Sequence, residues 1–270
     1  MSWAGGPVSP RATCVLAPNQ GPMTLDGTNT WVLSEPGSDV AVVVDPGPDD
    51  ATHLRAVLTA VEALGARVGT VLLTHGHADH SAGAAGFASL AGCGVRALDP
   101  AHRLGDEGLR GGDVVAVGGL RVEVVATPGH TADSLSFVLV DDGALLTGDT
   151  VLGRGTTVVA HPDGRLDDYL ASLEVLQRTV SGAMRILPGH GPVLADAAAV
   201  VAAYQRHRLD RLEQVRAAVA AGAATPGAVV RTVYADVDRA LWPAAELSVR
   251  AQLEYLRLPP PTPHSSPQPA

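Results

Sequence analysis

Three imidazoles and one carboxylate fall within the six residues His75-Gly76-His77-Ala78-Asp79-His80. They follow the apolar run Val71-Leu72-Leu73 and Thr74, so their side chains leave one strand-to-helix loop and can converge on one point. The chemistry open to such a set is metal binding: imidazole suits zinc, copper, iron and nickel, and a carboxylate adds a hard oxygen ligand. Ligand-type residues recur in the same setting downstream, in Thr127-Pro128-Gly129-His130-Thr131, Thr147-Gly148-Asp149-Thr150 and Pro188-Gly189-His190-Gly191. Each follows a short apolar run. Strand ends are where α/β proteins place function, and glycine lets the backbone crowd a ligand. The candidate ligands are therefore seven: His75, His77, Asp79, His80, His130, Asp149 and His190.

The H-x-H-x-D-H box, the later P-G-H, G-D and P-G-H-G elements and their order resemble the metallo-β-lactamase superfamily of hydrolases. The early Val43-Val44-Asp45-Pro46-Gly47 completes that pattern. The resemblance implies an α/β fold, a four-layer αββα sandwich with metals at one edge. It also implies roles: His75, His77 and His130 around one ion, Asp79, His80 and His190 around a second, and Asp149 bridging the two. Asp45 would stand behind them, orienting a ligating histidine through its other ring nitrogen. Two divalent ions are expected, zinc first, with manganese or iron tolerated by the same donors. Such a pair lowers the pKa of a bridging water, so no side-chain nucleophile is required, and Asp79 and Asp149 are the carboxylates expected to take part in catalysis. The lack of a G-x-S-x-G elbow does not count against hydrolysis.

The elements that must position these groups can be read from the rest of the chain. At 270 residues it has room for one large domain with an appendage. Hydrophobic residues make up 46% and aromatics only 3%, so the core is aliphatic, and every one of the 19 basic residues is arginine. Two cysteines, Cys14 and Cys93, cannot form a disulfide framework. No basic start with an apolar leader is seen, and no uncharged run approaches the roughly 18 apolar residues that span a membrane, so a cytoplasmic protein is expected.

Short β-prone segments are predicted at 30–34, 40–45, 114–125, 135–140 and 184–188, and helices at 50–64, 81–91, 166–180, 195–221 and 244–256. His53 reads as a solvated helix residue and His102 as a loop residue outside the ligand set. Asn29 and Thr30, in the opening loop, either face substrate or belong to a hydrogen-bonded turn. Arg154, Thr156 and Thr157 follow Asp149 and either meet an anionic substrate group or close a tight loop.

Composition shifts after Pro192. Residues 1–194 are read as the catalytic domain, 195–258 as a small winged-helix-like helical domain, and 259–270 as a disordered Pro-rich tail. Between residues 201 and 257 eight arginines face six acidic residues, whereas the whole chain carries a net charge of −9. With its appendage the chain resembles the β-lactamase-like protein 2 family from Pro22 to Leu258, through the opening TLDGTNTW, GTTV at 155–158, H-R-x-x-R at His207, Arg208 and Arg211, and the V-Y pair at 233–234. His207 is read as a structural residue between the domains.

That resemblance implies endonucleolytic cleavage of single-stranded RNA by a dinuclear metal site. The acidic, lysine-free chain with few aromatics argues against tight phosphate binding and base stacking. The alternative is an acyl-thioester hydrolase of glyoxalase II type, or one acting on carrier-bound acyl chains. Asp149 at the bridging position speaks against a true β-lactamase. The full ligand set disfavours a mono-iron persulfide dioxygenase and a nucleic-acid-binding module with an idle site. The expected partners are single-stranded RNA or a small acyl thioester and no membrane, with a homodimer left open.

Overall fold

The computed structural model describes residues 2–257. The tail expected to be disordered, 259–270, lies outside the described residues. Two sheets form the centre. The first runs β1 (Gly6–Pro7), β2 (Ala12–Leu16), β3 (Asn29–Leu33), β4 (Val40–Val44), β5 (Arg67–Leu72) and β6 (Gly94–Arg96) in sequence order. Its first four strands pair antiparallel and β4, β5 and β6 pair parallel. The second has the order β11-β10-β9-β8-β7, made of β7 (Val114–Val117), β8 (Leu120–Ala126), β9 (Leu135–Leu139), β10 (Ala144–Gly148) and β11 (Arg185–Pro188).

The strand period of two decides the layers. Val42 and Val44 of β4 face the second sheet and pack with Phe137, Leu139, Ala144 and Leu146. Ala41 and Val43, the alternate residues, face outward against Leu54, Val57 and Val61 of helix α1 (Ala51–Ala63) and Phe87 of α3 (Ala84–Ala91). On the far side, Val138 and Leu145 pack under Tyr169, Leu173 and Leu176 of α4 (Leu166–Thr179). Strands covered on both faces must be apolar throughout, which is why β4 reads Val-Ala-Val-Val-Val without alternation. The architecture is an αββα sandwich.

Helix α5 (Ala197–Ala220) belongs to two cores. Val201 and Tyr204 lie in the cluster over the second sheet, while Val215 and Ala218 join a separate cluster with α6 (Pro226–Val233) and α7 (Trp242–Arg257). Ala251 of α7 reaches back to the first of these. Among the described residues the regular elements of this appendage are all helices, joined by short turns. No helix among them is long and apolar enough to cross a membrane.

Candidate metal centre and substrate cavity

Every one of the seven candidate ligands leaves the carboxyl end of a strand on one edge of the sandwich. β5 delivers His75 and His77, then a single helical turn, α2 (Ala78–Ser81), carries Asp79 and His80. β8 delivers His130, β10 Asp149 and β11 His190. Parallel pairing of β10 with β11 brings the last two side by side, and β4 ends beside them with Asp45.

The donor atoms converge in clusters. Nδ1 of His77 lies 3.1 Å from Nε2 of His75 and 3.0 Å from Nε2 of His130. Nε2 of His190 lies 3.2 Å from Nε2 of His80 and 3.2 Å from Oδ2 of Asp79. Asp149 sits between them, 3.4 Å from His80, 3.3 Å from His190 and 3.7 Å from His130. Three groups of ligand atoms follow: His75, His77 and His130; His75, His80 and Asp149; Asp79, His80 and His190. His53 and His102 belong to none of them among the described residues.

The outer ring nitrogens explain the orientation. Nδ1 of His80 meets Asp45, Nδ1 of His130 donates to the carbonyl of Val158, Nδ1 of His190 lies against the carbonyl of Gly27, and Nδ1 of His75 meets the hydroxyl of Thr74. These partners place the proton on Nδ1 and leave Nε2 as a lone pair pointing inward. Converging lone pairs repel one another and gain only when a cation stands among them. Oδ1 of Asp149, buried without a hydrogen-bond partner, fits the same demand.

Without a metal, protons fill part of that role. Burial opposes charge on His190, but the charge of Asp149 and the hydrogen bonds its ring donates to Asp149 and Asp79 prevail and lift its pKa to about 9. His80 is likewise raised against burial by Asp149 and Asp45. Asp149 is held well below the usual carboxylate range because the charges of His190 and His80 outweigh its burial. His75 and His130, with mainly burial acting on them, are pushed down and kept neutral.

Beside the centre opens a cavity of about 270 Å³. His130 and Asp149 form its floor. Its walls come from the opening loop (Pro22, Met23, Leu25), the segment after β10 (Leu152, Arg154, Thr156, Thr157, Val158), α5 (His207, Arg208, Arg211) and the C-terminal helices (Tyr234, Val237, Leu241, Ala244, Ala245, Ser248). Arg154, Thr156 and Thr157 thus stand on the wall, with Arg154 paired to Asp26 and the Thr157 hydroxyl 3.3 Å from Nδ1 of His130. His207, read from sequence as a structural residue, also faces the cavity.

For Asn29 and Thr30 the structure favours the hydrogen-bonded reading, and for His53 it corrects the expectation. Asn29 is fully buried and its amide donates to the carbonyls of Pro188 and Gly191, both at 2.9 Å, so it props the loop that carries His190. Thr30 is also fully buried and donates to the carbonyl of Asp45 at 2.7 Å. His53 is not a solvated helix residue. It is buried, with Nε2 2.9 Å from the Thr30 hydroxyl, completing a chain from α1 through Thr30 to Asp45. No local pattern marked these contacts. The share of the wall given by Ser248, Leu241 and Ala245 was equally silent in the sequence.

The family model of the Metallo-beta-lactamase superfamily covers residues 23–190, which span all seven ligands. The chain belongs to that superfamily. A second model, the Beta-lactamase associated winged helix domain, covers residues 225–257. The Beta-lactamase-like protein 2 homolog of Caenorhabditis elegans is 33% identical over 264 residues, covering 92% of this chain and 85% of that one. An Atrochrysone carboxyl ACP thioesterase of Aspergillus fumigatus is 37% identical over 194 residues, covering 69% of this chain and 58% of that one. A metallo-beta-lactamase family protein from Thermus thermophilus has the same fold, with a TM-score of 0.75 at 24% identity, covering 92% of this chain and 94% of that one. This metallo-β-lactamase-fold protein is a hydrolase whose histidine and aspartate clusters could hold divalent metal.

Proposed function

We propose that this hydrolase cleaves acyl thioesters with two divalent cations, zinc in the first place. His75, His77 and His130 would hold one, Asp79, His80 and His190 the other, with Asp149 shared. When bound, the cations supply a water activated at neutral pH and positive charge opposite the developing oxyanion. Asp79, the more exposed of the two carboxylates, would take part in catalysis from the rim of the second cluster, while Asp149 keeps the two clusters in register. In this reading the domain at 1–194 does the chemistry and the domain at 195–258 completes the wall of the substrate chamber. Its place of action is the cytoplasm, which the unpaired thiols of Cys14 and Cys93 suit.

One observation carries the substrate class: the cavity over His130 and Asp149 is enclosed largely by Leu, Val, Ala, Met and Pro side chains drawn from both units. A hydrocarbon acyl chain gains from such walls, and a polyanion does not. The relative named as an ACP thioesterase supports the same class.

Single-stranded RNA is the second reading, favoured by the resemblance to the β-lactamase-like protein 2 family. Two of the cavity's three arginines count against it. Arg154 is taken up by Asp26, and Arg211 by the carbonyl of Val233, the side chain of Gln214 and the ring of Tyr234, so neither is free to neutralise a phosphate chain.

The deciding experiment is turnover of the metal-loaded and the chelator-treated protein on a medium-chain acyl thioester, a single-stranded RNA and a chromogenic lactam. Metal-dependent thioester hydrolysis is expected. Cleavage of RNA with no thioester turnover would transfer the assignment to the second reading.

A further inference from the structure

Arg208 is unlike the other arginines of the chain. Arg11 pairs with Glu35 and Asp142, Arg154 with Asp26, and Arg165 with Asp167, all partly exposed. Arg208 is only 4% exposed, and among the described residues no carboxylate stands within ion-pair distance of it. A guanidinium stays charged in proteins, and a buried charge without a counter-charge is costly. Its surroundings fix it in place instead. Nη2 donates to the carbonyl of Thr157, the guanidinium carbon lies 4.8 Å over the ring of Tyr169, and Nε is buried with no partner. This unneutralised fork lines the cavity whose floor is His130 and Asp149 and whose outer wall is Val237, Leu241 and Ala245.

We propose that Arg208 holds the substrate by an oxygen of its acyl group, and that the acyl groups this enzyme takes carry such an oxygen a few bonds beyond the thioester carbonyl. The inference rests on the thioester reading above. A planar fork, stacked and tethered in advance, matches a carbonyl or carboxylate oxygen and loses little entropy on binding it. A plain alkyl chain would cover the charge and leave it unanswered, whereas an oxo or carboxylate group on the chain would answer it. Sites built around a buried polar group discriminate strongly against the analogue that lacks its partner. The chamber's other two arginines are already engaged, Arg154 by Asp26 and Arg211 by the carbonyl of Val233 and the ring of Tyr234, and its walls are otherwise largely apolar, so the oxygen function would be single and the remainder of the acyl group hydrocarbon.

The test compares three thioesters of equal chain length on one small thiol leaving group: a plain acyl, a 3-oxoacyl and an ω-carboxyacyl ester. The metal-loaded wild type is expected to favour one oxygen-bearing ester over the plain one by about 10- to 100-fold in kcat/KM, the range for a hydrogen bond to a charged group. The preferred arm tells the carbonyl source from the carboxylate source. Arg208→Met should lower the preferred ester by that factor more than the plain one, chiefly through KM. A non-hydrolysable thioether analogue of the preferred ester should lose affinity for Arg208→Met by the same factor in calorimetry. Equal loss on all three esters would assign Arg208 to holding the loop at Thr157 and end the proposal. Equal wild-type rates on all three would end it too, with no variant needed, while leaving thioester hydrolysis intact. Failure of the wild type on every thioester would instead sink the functional reading itself. Should Arg208→Met not fold, Arg208→Lys, which keeps the charge and loses the fork, serves the same comparison.

Discussion

Oδ2 of Asp45 lies 2.8 Å from Nδ1 of His80, 35 residues further along the chain, with both side chains almost fully buried. The same carboxylate accepts from the backbone and the hydroxyl of Thr74, at 2.8 and 2.6 Å. Asp45 thereby ties the end of β4 to both ends of the ligand loop, and its left-handed backbone, φ 50°, is a conformation that the short polar Asp tolerates. Asp45→Asn keeps the size but loses the charge that holds the His80 proton. Metal affinity is expected to fall about 10- to 100-fold, read by competition with a chromophoric chelator. An unchanged affinity would remove Asp45 from the support of the site.

Gly189 precedes His190 for a steric reason. A Cβ there would collide with Oδ1 of Asp149 and stand 2.8 Å from the His80 ring. Gly189→Ala should displace Asp149 and cost at least one metal equivalent per chain by elemental analysis, in a protein whose far-UV spectrum is unchanged. Retention of both metals and full turnover would show that the loop yields.

The metal-free protein should lose stability as pH rises from about 6.5 to about 9, the ordinary value of a histidine and the raised value of His190. The sign follows from linkage: a histidine whose folded pKa is raised binds its proton more tightly when folded, so its contribution is complete below the lower value and gone above the higher. At about 1.36 kcal/mol per pH unit the loss approaches about 3 kcal/mol. His80, raised by Asp149 and Asp45, acts in the same direction. His75 and His130, pushed below the ordinary value, have their effect at lower pH. Urea unfolding with chelator present across this range should show the decline, and His190→Gln should flatten it. A flat wild-type curve would contradict the assigned charge state.

Metal uptake should for the same reason release protons near pH 7, since His80 and His190 must surrender theirs to become ligands. Calorimetric titration with zinc in buffers of different ionisation enthalpy measures that number. No dependence on buffer would mean that both rings are already neutral.

Ala245, 8% exposed on α7, lines the chamber some distance along the chain from any ligand. Ala245→Trp should shorten the acyl chain accepted, lowering kcat/KM for long esters roughly tenfold or more while an acetyl ester and metal content change little. Equal loss on acetyl and long esters would place the acyl chain elsewhere.

The ligands were legible because each sits in a local pattern. His75 to His80 fall within one turn after an apolar run, and His130, Asp149 and His190 each follow a strand with glycine beside them. Helix α1 was legible for the same reason, with Leu54, Val57 and Val61 at helical spacing and Asp50 capping it through the backbone of Thr52 and His53. Asn29, Thr30 and His53 were not, because a polar residue's burial depends on partners its neighbours do not announce. The Asn29 amide is satisfied by carbonyls 159 and 162 residues away.

The apolar runs that end at the ligands, the donor set and the family resemblance thus came from the chain alone, since backbone period and ligand chemistry are local properties, while the short strands β1, β2 and β6 did not. Tertiary structure decided which donors share a cluster, that α5 serves two cores, and that Arg208 lines, without a carboxylate partner, the chamber over His130 and Asp149. Those are distances between segments far apart in sequence, and such distances are set by packing rather than by any stretch of residues.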